Sequence, residues 1–553
     1  MNGLDILVGG KSPKGQSGSQ VSISGRQILI VDDFSDMRIA VRRMLRDLGE
    51  ENADMAGNGK DAIDKIQHNS YDIVLCDYNL GDGKDGHQIL EEAHHMGFIK
   101  PSCIFIMITA ETSRHHVLGA IECQPDDYIA KPFTKELLQH RLVKAVKKKD
   151  ALMDIYEAMF AKRFADAIKI AEHKLASKSR YTLDIAKLLG SFYLRTEQYD
   201  QALAFFQKIL NQNYMPWAKF GLGQAYYYLG KYADAIVLFD ELTDECEYFM
   251  EAYDWSAKCN LALDKKIEAQ ERLAMAAKIS PKTISRQCEL GELAKENGEL
   301  DIAGSAYRAA IQFGAHSCFK SSKEYLGMND VLLERGDTLK ALSNLKEARD
   351  QLKEDPADLL QVVTATVDVH AGKGGTVEAN KFLEQAEKIY QENTDAIPDE
   401  ASLKLAATAL KLDDVKFGTA IVNNLAESNH DDEALLNKLK AVVSDTGHAD
   451  ELSEIISKST ETLRALNKKG IQLAESGKLK ESLELLEAAS EKAPNSKAFN
   501  LNTALACIML MKQDGANDQL LFKARHYLDR VTKMGKADKR HAELSKMLEA
   551  LKK

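Results

Sequence analysis

The 553-residue sequence predicts two architectures in series: an α/β doubly wound parallel sheet of five strands, then an all-α solenoid. Three observations predict them. Between residues 27 and 149, short apolar runs alternate with helical patterns. Acidic, hydroxyl or basic residues stand directly at the ends of those runs. From about residue 150 the strand pattern stops, and similar windows recur with an offset near 34.

The apolar runs are ILIV at 28–31, IVLC at 73–76, CIFIMI at 103–108 and YIA at 128–130, with a weaker strand around 53–56. Helical patterns lie between them, as in DMRIAVRRMLRDL at 36–48 and KDAIDKIQH at 60–68. Strands that are apolar throughout, separated by helices, indicate a parallel sheet covered on both faces. After it, one helix is expected from about 134 to 160, with the basic run KKK on a solvated face.

In a sheet of this kind ligands sit at the carboxyl ends of the strands. Asp32 and Asp33 follow the first strand and Asp77 the third; Thr109 ends the fourth, and Lys131 follows the fifth. The five should converge on one sheet edge. Three carboxylates in one place repel one another without a cation, and hard oxygen ligands suit Mg²⁺. Carboxylates, an oxygen-preferring metal, a hydroxyl and an ammonium together describe a phosphoryl-transfer site in which one carboxylate attacks.

In the order and spacing of these five residues, 27–149 resembles the receiver domain of bacterial two-component response regulators. The resemblance implies that Asp32 and Asp33 are the acidic metal-binding pair and Asp77 the phosphoacceptor. Thr109 would be the switch hydroxyl and, with Lys131, a phosphate contact; Tyr128 would be the aromatic that moves with it. It also implies a cis Lys131–Pro132 bond and a metal held by Asp32, Asp33, Asp77 and the backbone carbonyl of Asn79. The side chains of Asn79 and Glu111 would flank the path of water to the phospho-aspartate, a combination found in chemotaxis-type receivers with short-lived phosphorylation. One departure stands out. Where the family usually has a proline and a compact Asp-Gly turn, this chain reads NLGDGKDGHQIL, longer and richer in glycine.

Other features exclude more than they assign. A net charge of −11 argues against a chain whose main surface grips DNA. Eight scattered cysteines without a CxxC pair suit a reduced, cytoplasmic location, and no apolar run is long enough to predict membrane insertion. Residues 1–26 read as a flexible leader, and GGKS within them lacks the spacing of a phosphate loop. His87, His94, His95, His115 and His116 form no ligand pattern and read as surface or helix histidines.

The repeats begin with LLGSFYLRTEQYDQALAFFQKIL from 188 and GLGQAYYYLGKYADAIVLFDEL from 221. Superposed, they align Gly190 with Gly223, Tyr193 with Tyr226, Tyr199 with Tyr232, Ala202 with Ala235 and Phe206 with Phe239. Ala167, Ala269 and Ala303 continue the small position, and further windows open at 291 and 470. Pro281 and Pro494 mark unit ends. Small residues let paired helices approach, while the large ones fill space between neighbouring units. The pattern resembles the tetratricopeptide repeat (TPR) family, in 150–352 and again in 461–553, with degenerate helical repeats over 353–460. AGKGGT at 371–376 reads as a loop, and Tyr226, Tyr227, Tyr228, Trp217 and Trp255 as candidates for the concave groove.

Together the two parts predict a phosphorylation-dependent response regulator. A histidine kinase, phosphotransfer protein or small phosphodonor would load Asp77 with Mg²⁺ present. The output would be binding of an unidentified protein in the TPR groove, or homodimerisation. Self-phosphorylation and autodephosphorylation would be its only chemistry. The alternative is a phosphorylation-independent scaffold that uses the receiver as a docking module. No basic helix-turn-helix follows the sheet, so DNA is not an expected partner.

Overall fold

Every residue of β1 (Ile28–Val31) is buried, and so is every residue of β3 (Ile73–Asp77), which places both strands inside a sheet with two covered faces. The computed structural model describes residues 25–110, 125–177, 179–444, 447–515, 517–535 and 538–551. With β2 (Ala53–Ala56), β4 (Ile104–Thr109) and β5 (Asp127–Ala130), the strands form a five-stranded parallel sheet in the order β2-β1-β3-β4-β5. Because side chains alternate along a strand, one set of strand residues feeds each core. Leu29, Val31, Val74, Cys76, Phe105 and Met107 pack on one face with Ala62 and Ile66 of α2 (Gly59–His68) and Ile89 and Leu90 of α3 (Gly86–His95). Ile28, Ile30, Ile73, Leu75, Ile104, Ile106 and Ile108 pack on the other with Val41 and Leu45 of α1 (Ser35–Asp47) and Leu138 and Leu142 of α4 (Lys135–Ala151).

Two details after the sheet differ from expectation. The helix expected over 134–160 stops at Leu152, a fully buried residue at φ −110°, and resumes at Met153–Phe160. Leu152 is seated in a core with Ile155, Ala158 and Ala167, and the helix breaks there. The basic run is also not wholly solvated. Lys149 is buried, donates to the carbonyl of Pro101 at 2.7 Å, pairs with Asp126 at 3.0 Å and lies over the Tyr156 ring.

The chain divides into two compact units at Lys320–Ser321. In the first, helices after α4 pair in succession from Phe164–Ala176 to Leu300–Gly314. In the second, helices run from Ser322–Glu334 to Lys539–Ala550, around one core centred on Leu360, Leu383, Leu405 and Ile421 and another centred on Leu486, Phe499 and Leu528. A single helix, Ala449–Glu475, runs through the boundary expected near 460. Among the described residues no helix is long and apolar enough to cross a membrane.

One local device recurs through the helical region. Lys162, Glu197, Gly230, Asp264, Gly298, Gly336, Gly374, Asp413 and Gly477 all take a left-handed backbone, closing the turn after a helix. A small buried residue follows each by five positions: Ala167, Ala202, Ala235, Ala269, Ala303, Ala341, Ala379, Gly418 and Ser482. The spacing is 33–35 as far as Gly298, then 38, 38 and 39 to Asp413. The longer pitch explains why a search with a 34-residue offset loses phase there. AGKGGT is one of these turns, with Gly374 at φ +73°.

Large residues cap small ones within four of the helical pairs. A Cβ added at Gly190, Gly223, Gly291 or Gly470 would lie 2.6–2.8 Å from Phe206, Phe239, Tyr307 or Leu486. The Phe239 ring therefore fills space inside its own pair, while also reaching Trp255 of the next helix at 6.2 Å between centroids. Of the aromatic residues expected in a groove, Tyr228 is exposed and stacks on Tyr199. Trp217 instead packs against Phe206, and Tyr227 against Trp255.

Candidate functional site

The sheet explains why a buried strand runs straight into two aspartates. β1 and β3 are parallel neighbours, so their carboxyl ends open at the same edge, with Val31 in register with Cys76. Asp32 follows one end and Asp77 closes the other; both side chains are buried. β4 pairs with β5 so that Thr109 stands opposite Ala130, and the Thr109 carbonyl accepts the Lys131 N–H at 2.7 Å. Lys131 is thereby set at the same edge, followed by a cis bond to Pro132.

The lysine closes the site. Its Nζ donates to Asp32 Oδ2 and to Asp77 Oδ2, each at 2.7 Å. Burial acts to lower the Lys131 pKa, but the two carboxylates outweigh it, and the ammonium is held above its ordinary value. For Asp77 burial dominates. Its carboxyl is pushed above the ordinary range despite the hydrogen bond from Lys131. The neighbouring Cys76 is fully buried and its thiol is raised well above the ordinary value, so it remains a neutral core residue.

Asp33 completes the acidic set. Asp32, Asp33 and Asp77 each place an oxygen within 4.8 Å of the others. Asp33 Oδ1 is enclosed and has no hydrogen-bond partner among the described residues. Three carboxylates facing one ammonium leave an excess of negative charge, which a divalent cation with oxygen preference would neutralise. The cluster is thus capable of coordinating such a metal. Around it, Phe34 N–H donates to Asp32 Oδ1 at 2.9 Å, and Arg38 Nη1 donates to the Asp32 carbonyl at 2.5 Å.

Of the residues singled out in the sequence, Asp32, Asp33, Asp77 and Lys131 are brought into contact range. Thr109 lies at the end of β4, partly exposed. Tyr128 lies on β5, in register with Met107 and packed against the core shared with α2 and α3. Asn79 is exposed on the loop after β3, and its side chain accepts from the Gly81 N–H at 3.4 Å. Glu111, His115, His116 and the GGKS segment lie outside the described residues. His94 and His95 are exposed on α3, but His87, expected at the surface or on a helix, is helical and buried.

The glycine-rich loop is built around the site. Gly81 and Gly83 take φ +71° and +105°, conformations that side chains rarely adopt. A Cβ at Gly81 would lie 3.6 Å from Asp33 Oδ2, so the loop passes close to the acidic cluster. Asp85 then caps α3 through a reciprocal bond with Gln88. Gly86 is fixed by close approach: a Cβ there would come within 2.3 Å of the Asp77 carbonyl oxygen. Arg38 and Gly86 were not among the residues singled out. No motif marks them, because their importance comes from where α1 and α3 begin relative to β1 and β3.

Comparison with known proteins agrees with this geometry. The response regulator receiver domain family matches residues 28–143. "Chemotaxis protein CheY-3" of Vibrio cholerae is 37% identical over 118 residues, covering 21% of this chain and 89% of that one. "Chemotaxis protein CheY" of Pseudomonas aeruginosa is 33% identical over 118 residues, covering 21% of this chain and 94% of that one. A solved CheY-like receiver domain from Methanospirillum hungatei is 25% identical, with a TM-score of 0.21, covering 23% of this chain and 97% of that one. The parallel sheet, the acidic cluster at its carboxyl edge, the family match and the two chemotaxis proteins lead to one assignment: over residues 28–143 this chain belongs to the CheY-like response regulator receiver family, and a large all-α region follows.

Proposed function

We propose that the protein is a phosphorylation-dependent response regulator that accepts a phosphoryl group on Asp77 and signals by protein–protein interaction through its helical repeats. The observation that carries this reading is Lys131 bridging Asp32 and Asp77, beside Asp33, at the edge where parallel sheets bind ligands. An ionised Asp77 oxygen attacks phosphorus in a phosphohistidine or small acyl phosphate. The new O–P bond forms as the donor's bond to phosphorus breaks, and the donor leaves with that electron pair. Water later attacks the acyl phosphate, releasing inorganic phosphate and restoring the carboxylate.

Asp32, Asp33, Asp77 and the backbone carbonyl of Asn79 would hold Mg²⁺. The bound ion would supply positive charge opposite the phosphoryl oxygens. Lys131, held as a cation, neutralises the charge that develops on those oxygens. Thr109 donates its hydroxyl to the phosphoryl group and shifts with Tyr128 as the switch, while Asn79 and Glu111 set the lifetime of the phospho-aspartate. A histidine kinase or phosphotransfer protein is the donor, in the cytoplasm. The recurring left-handed turn followed by a buried small residue supports reading the helical region as tetratricopeptide repeats, a scaffold suited to a protein target or a second copy.

The test is intact-protein mass after incubation with Mg²⁺ and acetyl phosphate, alongside Asp77→Ala and with light scattering on the same samples. A labile gain of one phosphoryl group in the unaltered chain alone is expected. Equal labelling of the variant would remove Asp77 from the role.

A further inference from the structure

The loop that departs from the receiver pattern is held from outside the receiver. Lys282, in the turn between helices Lys266–Ile279 and Ile284–Glu296, places its Nζ 3.1 Å from the Tyr78 hydroxyl and 3.4 Å from Asp85 Oδ2. The same ammonium lies over the Tyr78 ring, 5.1 Å from its centroid. Further along α3, Gln88 Nε2 donates to the Phe313 carbonyl at 3.2 Å, and His95 meets the Phe319 ring edge-on at 4.7 Å. Between these contacts lies a cavity of about 180 Å³, bordered by Gly83, Asp85 and Gln88 on one side and Lys282, Gln312 and Ser317 on the other. Two turns of the helical array thus grip α3 and the loop before it.

The grip reaches the acidic site through covalent neighbours. Tyr78 follows Asp77 directly, and its N–H is fixed to the Ile108 carbonyl at 2.8 Å. Asp85, at the other end of the loop, caps α3, and between them Gly81 runs close to Asp33. Gly81 lies beside Asp33 Oδ2, so a metal and a phosphoryl group at the acidic cluster would bear on this loop, whose Asn79 carbonyl the metal would draw on. Such occupancy would therefore act on a segment anchored at both ends by one lysine.

We propose that this contact is an intramolecular clasp, with Lys282 as its anchor, that opposes occupancy of the Asp77 site and is loosened when the site fills. The inference rests on the reading of Asp77 as a phosphoacceptor and adds the route by which that event reaches the repeats. Coupling is reciprocal: a contact that occupancy weakens must itself weaken occupancy, by the same factor. Removing the ammonium therefore tightens binding of a phosphoryl mimic, and binding of the mimic frees the turns at 280–283 and 313–319. A contact serving only to hold the fold predicts neither effect.

The experiment uses the full chain and Lys282→Met, which keeps the apolar stem, with Mg²⁺ and beryllofluoride as the mimic. Calorimetry gives affinity, and hydrogen–deuterium exchange follows residues 78–90 and 280–320. The variant is expected to bind the mimic about fivefold or more tightly, near the lower end of allosteric coupling factors. It should also show fast exchange at 280–320 without any mimic, whereas the unaltered chain shows it only after binding. Gln88→Glu, which keeps the acceptor for the Asp85 N–H but loses the donor to the Phe313 carbonyl, should shift both readouts in the same direction if Lys282→Met folds poorly. Equal affinities, with protection at 280–320 unchanged by the mimic, would overturn the clasp and leave the phosphoacceptor reading standing. If no chain binds the mimic, the reading of the site falls, and the coupling with it.

Discussion

Replacing Lys131 by methionine removes the ammonium that bridges two buried carboxylates while keeping most of the side chain's volume. Asp32 and Asp77 are 3% and 6% exposed, and each loses a 2.7 Å charge-assisted bond. Breaking a buried ion pair by deleting one partner costs about 3–5 kcal/mol, because the remaining charge stays buried without compensation. Here two charges are stranded, yet the site opens at the sheet edge, where water can enter, so the lower end, about 3 kcal/mol, is expected. At roughly 1.4 kcal/mol per factor of ten, that is on the order of a hundredfold faster hydrogen exchange at β1 and β3 amides that open with the receiver. Mg²⁺ should recover much of the loss, since a ligand at a hundred times its dissociation constant stabilises by about 2.7 kcal/mol. The recovery should be larger in the variant, where no ammonium competes for the carboxylates. The assay is exchange on the full chain at neutral pH, with and without Mg²⁺. A loss below about 1 kcal/mol that Mg²⁺ does not alter would show that the Lys131 bridge does not hold these charges.

Three other expectations follow from the same geometry. Gly86→Val should disrupt the start of α3 and lower acetyl phosphate labelling, because its Cβ would collide with the Asp77 backbone oxygen; full labelling with unchanged exchange at residues 86–95 would refute the close approach. Labelling should fall on acidification from a pH above the ordinary aspartate range near 4, since burial raises the Asp77 pKa and the attacking form is ionised. That group favours the folded state most below its unfolded pKa, and the contribution is lost as pH rises through the folded value; Asp77→Asn should remove this slope from a stability–pH profile. In the repeats, Gly223→Leu should cost about 1–3 kcal/mol by overpacking against Phe239, and a partial return of thermal stability in Gly223→Leu with Phe239→Ala would identify that contact as the cause. Additive losses in the pair would count against it.

How much was legible varies by element, for physical reasons. Strands β1, β3 and β4 were readable because each is short, mostly apolar and bounded by polar residues, β2 only weakly because Asp54 interrupts it, and the acidic cluster because strand ends in a parallel sheet share an edge. The break at Leu152 was not: α4 and the helix after it read as one continuous helical pattern, and only a buried seat for Leu152 decides where the helix breaks. Lys149 illustrates the same limit, since a lysine in a basic run reads as solvated until Pro101 and Asp126 are placed beside it. The repeats were harder to follow beyond Ala303 because their pitch lengthens from Gly298 onward, although the turn residues and the small residues that follow them persist at Gly374 and Ala379 and at Asp413 and Gly418.

By itself, then, the sequence determined the parallel sheet, the order of its strands' polar ends, and the small-residue positions that let helices pair. These depend on period and on local backbone preference, which are written in neighbouring residues. Only the tertiary structure decided that Lys131 bridges Asp32 and Asp77, that Gly86 lies against the Asp77 backbone, and that Lys282 reaches Tyr78 across 204 positions. The first two follow from where strand ends and a helix start meet at one sheet edge, and the third from how successive helical pairs stack, and no local pattern records either.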